Sequence, residues 1–196
     1  MGDNRPPVYY DTIDGKMVLV IRASAIGGCM WELIAAGQGH EPKPLPSVLV
    51  RAFDEGNKLE DVVLGKLMSM GWSFESFQSE GVLWVADDVV IRYHSDGIAT
   101  TLQKTFAHVV EVKALSNALW QTFVSKGMEY VISEYPWQLS SMMYGERKPG
   151  VWVGYNKGNP PDENGVREPC EDEGKLHIQY VNDYPILLDH LEVKAI

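Results

Sequence analysis

The apolar positions of this chain change period several times, and each change marks an element. MVLVIR (17–22) reads as a strand. After it, Ser24 is placed to cap a helix running through CMWELIAA to Gly37, a residue suited to a left-handed stop. HEPKPLP is a proline-rich connector. From Ser47 to Met70 apolar residues recur at helical spacing, and Gly71 ends the run. Four strand-like segments follow, WSFESF, GVLWVA, DVVIRYHSD and AHVVEVKA, punctuated by glycines and paired aspartates that suit tight turns. Helical spacing returns from Ser116 to about Tyr144, with Pro136 fitting a first-turn position. GVWVGYNK and KLHIQYV close the pattern as two strands around a loop at 158–174. No internal repeat is present. The order of helix, antiparallel strands, helices and strands predicts an α/β domain of the α+β layered kind.

Composition narrows this picture. A chain of 196 residues, 45% of them hydrophobic, can bury one good core, so residues 1–196 are expected to form a single domain. No apolar run approaches the roughly 18–20 residues of a membrane span, and MGDNRPPVYYD lacks the basic and apolar regions of a signal peptide. The expected place is therefore the cytoplasm, with no membrane partner. Cys29 and Cys170 lie far apart and outside any CxxC pair, which indicates neither a disulfide framework nor a zinc site; each is expected to be a lone buried thiol. The net charge of −10 argues against a broad basic face and against tight, non-specific duplex binding. Part of that charge is local: DENGVREPCEDE (162–173) carries six acids and one arginine.

The candidate chemistry lies where acids interrupt apolar stretches. On the long helix, Glu60 shares its stripe with Phe53, Gly56, Val63, Leu64 and Leu67. A carboxylate there either pairs, binds a metal or reaches water at an edge. Asp61 is an ordinary solvated residue. Asp96 stands at a strand end beside Gly97, which taken alone is a turn dipeptide. Glu111 and Lys113 alternate with Val110 and Val112, so one face of a probable central strand carries an acid and an amine two residues apart. A buried structural ion pair is poor value for stability, and a site explains the pattern better. An aspartate from one strand and a glutamate from the next supply hard oxygen ligands for Mg²⁺, and the lysine can orient or deprotonate an attacking water.

These residues together resemble the PD-(D/E)xK nuclease superfamily, in its RecB-type and phage lambda-exonuclease-like branch. That pattern runs as a helical GxxxE, then HxDG, ExK and a helical glutamine. Here it reads Gly56 to Glu60, His94-Ser95-Asp96-Gly97, Glu111-Val112-Lys113, and Gln138 in YPWQLSSMMY. SAIGGCMWELIAAG is similar to the branch's opening segment. The resemblance covers about Ser24 to Tyr144; each motif is short, and their order carries the weight.

It implies a restriction-endonuclease-like core with a central mixed sheet flanked by helices, and a Mg²⁺-dependent (Mn²⁺ substituting) DNA exonuclease. Asp96, Glu111 and the Val112 carbonyl would hold the metal, and Glu60 would complete its shell directly or through water. Lys113 would position the hydrolytic water, with Gln138 near Lys113 or the scissile phosphate. DNA is the implied partner, a homo-oligomeric ring is a possible assembly, and phage recombination or DNA degradation is the implied setting.

Two departures bear on the carry-over. The branch's tyrosine four residues after the glutamine is Met142 here, and Tyr144 lies on another helical face. Members with an iron–sulfur cluster use one early and three late cysteines, and Cys170 is the one late cysteine, so no iron–sulfur cluster is expected. His40, His108, His177 and His190 show no metal-ligand spacing and are expected to be structural or exposed; His94 could support Asp96. Trp31, Trp120 and Trp137 are expected in the core. Two rival readings stay open: a catalytically silent nuclease-like DNA-binding or inhibitor module, and a carboxylate-pair hydrolase acting on sugars.

Overall fold

A computed structural model gives the fold; it describes residues 6–40, 44, 46–101, 104–161 and 166–182. Parts of the 40–46 connector, the Phe53 side chain, Asp162, Glu163 and His190 lie outside the described residues. The elements are β1 (Val8–Ile13), β2 (Lys16–Arg22), α1 (Met30–Gly37), α2 (Ser47–Ser69), β3 (Ser73–Phe77), β4 (Glu80–Ala86), β5 (Val89–His94), β6 (Gly97–Thr100), β7 (Ala107–Leu115), α3 (Asn117–Lys126), α4 (Tyr135–Glu146), β8 (Gly150–Asn156) and β9 (Leu176–Val181).

The strands form two mixed sheets where a single central sheet was expected. One has the order β1-β2-β5-β4 and the other β3-β6-β7-β8-β9. The pairings β2–β5 and β7–β8 are parallel, and the remainder are antiparallel. A bent two-stranded ribbon joins the sheets. Its rising arm is β3 followed by β4, its returning arm is β5 followed by β6, and it changes sheet at Gln78-Ser79 and Ser95-Asp96. Gln78 takes the left-handed region there, with φ 49°. The two arms stay bonded across the bend, where the Ser95 amide donates to the Ser79 carbonyl at 2.8 Å and the Gln78 amide to the Asp96 carbonyl at 3.2 Å.

The layers follow from which faces are apolar. Even-numbered residues of β7, Val110 and Val112, pack with Val63, Leu64 and Leu67 of α2. Its odd-numbered Val109 and Leu115 face the other way, into a core with Trp120 and Phe123 of α3 and Leu139, Met142 and Met143 of α4. That core also takes in Ile91 and Tyr93 of the first sheet, so α4 lies between the two sheets. A helix buried on both sides has no solvated stripe for serines. Ser140 and Ser141 accordingly donate to the carbonyls four residues back, Pro136 at 2.6 Å and Trp137 at 2.8 Å.

Several local expectations change. Strand β1 was not anticipated. Ser24 caps no helix: it sits in a short 3₁₀ turn (Ala23–Ala25), and α1 begins after Cys29. Gly37 is still helical, and the left-handed stop is Gly39, with φ 83°. Helix α2 ends as predicted, with Gly71 at φ 89°. The helical stretch from 116 to 144 is two helices broken at Gly127. Among the described residues, no helix is long and apolar enough to cross a membrane.

Candidate active site

Asp96 sits where the ribbon passes from one sheet to the other. Its amide donates to the Val110 carbonyl at 3.2 Å, and its Oδ2 accepts the Val112 amide at 2.5 Å. In a strand, the N–H and C=O of one residue point to the same edge. The Val112 carbonyl is therefore directed to the edge occupied by Asp96, where β6 has already ended at the Gly97–Val110 pair. Gly97 is needed for close approach rather than for its φ. A Cβ there would fall 2.8 Å from the Phe74 ring and 3.0 Å from the Ser76 carbonyl.

Glu111 is 2% exposed and Lys113 is half-buried beside it, with Lys113 Nζ 2.5 Å from Glu111 Oε1. The second oxygen, Glu111 Oε2, is buried without a hydrogen-bond partner. Burial pushes the Asp96 carboxyl well above its usual range, and the charges of Glu111 and Glu60 push it further, against Lys113 and the Val112 amide. Burial likewise raises Glu111, with Lys113 opposing and Glu60 adding to the rise. Burial alone would lower Lys113, but Glu111, Asp96 and Tyr135 outweigh it and hold the amine as an ammonium. A cationic lysine orients by charge and donates hydrogen bonds; it is a poor proton acceptor.

Glu60 lies within electrostatic reach of both acids, yet it is half-buried rather than sunk in an apolar stripe. Among the described side chains of α2, the first buried one is Val63, one turn later. Among the described residues, no three His, Cys, Asp or Glu side chains converge on one point. The carboxylates brought together are Asp96 and Glu111, with the charge of Glu60 reaching both.

The pair nevertheless fits a hard divalent cation. Two crowded carboxyls, an unpartnered buried carboxylate oxygen and a carbonyl on the same edge all gain from positive charge, and all are oxygen donors. Gln138 is half-buried on α4, one turn after Tyr135, whose ring covers Lys113 Nζ at 4.9 Å. Sequence reasoning missed Tyr135. Its signal was present: on a helix, Tyr135 and Gln138 share a face at a spacing of three.

Other expected residues lie elsewhere. His94 is exposed, with Nε2 3.9 Å from Glu80 Oε1 on the neighbouring strand. His108 is fully buried and stacked on Phe106 at 5.0 Å. His177 meets the Phe123 ring edge-on at 4.8 Å. Trp120 is in the core, Trp137 is half-buried against Gly27, and Trp31 is 77% exposed, contrary to expectation. Its helix α1 has no buried residue. The cysteines are free thiols, but Cys29 is exposed and Cys170 half-buried rather than buried. Arg92 is held by Asp11 at 3.0 Å, Glu80 at 3.4 Å and the Tyr9 hydroxyl at 2.8 Å.

The fold and this centre define a layered α/β chain with two acids and a lysine where a ribbon crosses between sheets. In architecture it is similar to an alkaline exonuclease (LHK-Exo) from Laribacter hongkongensis, at TM-score 0.53 and 13% identity, over 88% of this chain and 82% of that one. A second structure, LHK-Exo in complex with dAMP, gives TM-score 0.52 and 16% identity over the same shares. In sequence, no family model and no curated protein matches the chain. The nuclease-like fold that the motif order implied is the fold the chain adopts.

Proposed function

We propose that the chain is a Mg²⁺-dependent deoxyribonuclease that hydrolyses phosphodiester bonds, working from DNA ends as an exonuclease. One observation carries this reading. Asp96, Glu111 and Lys113 meet at the sheet junction, with the ammonium 2.5 Å from the glutamate and the aspartate fixed by the Val112 amide. The exonuclease fold supports the same conclusion.

Asp96, Glu111 and the Val112 carbonyl would hold the metal, and Glu60 would complete its shell directly or through water. When bound, a divalent cation supplies positive charge against the phosphate oxygens. The Lys113 ammonium donates to the attacking water or to a non-bridging phosphate oxygen, fixing the line of attack. Water's oxygen forms the new P–O bond, the bond to the leaving oxygen breaks, and water gives up one proton as the leaving oxygen gains one. Gln138, one turn from Tyr135, would hydrogen-bond the phosphate beside Lys113. DNA is the partner in this reading, and phage recombination or DNA degradation the setting.

The test is cleavage of linear duplex DNA with Mg²⁺ or Mn²⁺, with and without EDTA. Asp96→Ala, Glu111→Ala and Lys113→Ala should each lower the rate by at least about 100-fold while retaining the wild-type circular dichroism spectrum. Undiminished cleavage by any one of them refutes the assignment.

A further inference from the structure

We propose that Tyr135 is a positioning residue for Lys113, in an inference that rests on the hydrolytic reading above. The ammonium lies between two partners, the Glu111 carboxylate at 2.5 Å and the face of the Tyr135 ring at 4.9 Å. The ring also packs against Trp152, at 5.8 Å between centroids and a 39° tilt. Trp152 is buried and stands opposite Glu111 in the β7–β8 register. The backbone is fixed as well: the Tyr135 amide donates to the Ile132 carbonyl at 3.2 Å, and Pro136 occupies the first turn of α4.

Lysine needs such a wall because its four-carbon stem is flexible and its charge is a compact point. In the structure Glu111 satisfies the ammonium. A divalent cation on Glu111 would compete for that oxygen and repel the ammonium. The negative face of an aromatic ring then retains the charge beside the acids without competing for a ligand position. The ring, more than the hydroxyl, performs this task, since it is the ring face that meets Nζ. The Tyr135 hydroxyl is half-shielded beside Glu111 and Glu134, and burial first, then those charges, keep it protonated against the pull of Lys113.

Two measurements test this. The first is the NMR signal of the Lys113 ε-methylene protons in the metal-free protein. It should be shifted upfield by the ring in the wild type and in Tyr135→Phe, and should return to the ordinary lysine position in Tyr135→Leu. The second is steady-state cleavage of linear DNA. Tyr135→Leu should lower kcat about tenfold with KM within about twofold of wild type, and Tyr135→Phe should restore most of the rate. An unshifted Lys113 signal in the wild type overturns the proposal without needing any variant to fold. Wild-type kcat in Tyr135→Leu, or a Phe variant as slow as the Leu variant, overturns it too. Absence of cleavage by the wild-type protein would refute the nuclease reading instead, and the proton shift would still judge the contact.

Discussion

At the scale of single residues, the acids of the candidate site are in tension with the fold that carries them. Asp96 has a carboxyl raised above its usual 3.8, so the folded chain binds a proton more readily than the unfolded one. Stability from this group is therefore greatest below the unfolded value and is lost as pH rises from about 4 toward the raised value. Asp96→Asn removes that loss and keeps an oxygen for the Val112 amide. In EDTA, the Asn variant should melt at the same temperature as wild type near pH 4 and about 2–6 °C higher near pH 7. Adding Mg²⁺ should reverse the order by stabilising the wild type alone. Equal melting temperatures throughout would mean that Asp96 ionises without cost in the folded chain. Glu60 belongs to the same balance, because its charge raises both Asp96 and Glu111. Glu60→Gln should weaken Mn²⁺ binding about 3–10-fold by calorimetry while leaving metal-free stability equal or higher. Unchanged Mn²⁺ affinity would reduce Glu60 to a surface residue.

Among the elements, the ribbon crossing is what makes the site. Asp96 belongs to neither sheet, and both arms of the crossing are pinned by main-chain bonds at Ser79 and Gln78. Gly97 admits the Phe74 ring at this point, so Gly97→Ala should cost about 1–3 kcal/mol and displace Asp96 from the Val112 amide. Phe74→Leu, introduced with it, should recover part of both losses; additive losses by denaturation and metal titration would count against the contact. Such local features were unevenly legible in the sequence. The long helix, the ExK strand and the closing strand pair were readable because their period is unbroken. The β1–β2 hairpin was missed although Asp14-Gly15 marks it, with φ of 50° and 80° at the turn, because Tyr9, Tyr10 and Asp11 blur the alternation of the strand. Strand β6 is four residues long and continues β5 around the bend, so no local break announces it. The division into two sheets depends on pairings such as β2 with β5, about 70 residues apart, which no local period encodes. Tyr135 was overlooked because, although it shares a helical face with Gln138, what marks it is its contact with Lys113 of β7, which no local period encodes.

On the scale of the whole molecule, charge decides how DNA could be held. The chain carries 27 acidic and 17 basic residues. Arg92 is committed to Asp11 and Glu80, and Lys104 lies over the Tyr180 ring beyond the far end of β6 from Asp96. Arg147, exposed at the end of α4, and its neighbour Lys148 are cations that a phosphate could meet. A chain with ten more acids than bases grips a duplex weakly at arbitrary positions at physiological salt, since affinity grows with each phosphate neutralised. Base reading by an endonuclease would also need groove-entering elements beyond the layers described. A confined path that accepts an end, such as the centre of a ring of identical subunits, concentrates few cations on one strand. Linear duplex should accordingly be degraded progressively to short products while covalently closed circles persist in the same tube, and the rate should fall steeply between about 50 and 200 mM salt. Sedimentation should find an assembly larger than the 22.0 kDa chain under the same conditions. Equal rates on linear and closed DNA would reject the end-dependent mechanism and leave the proposed metal-binding centre standing, because the acids and lysine proposed to form it make no use of the path by which DNA arrives.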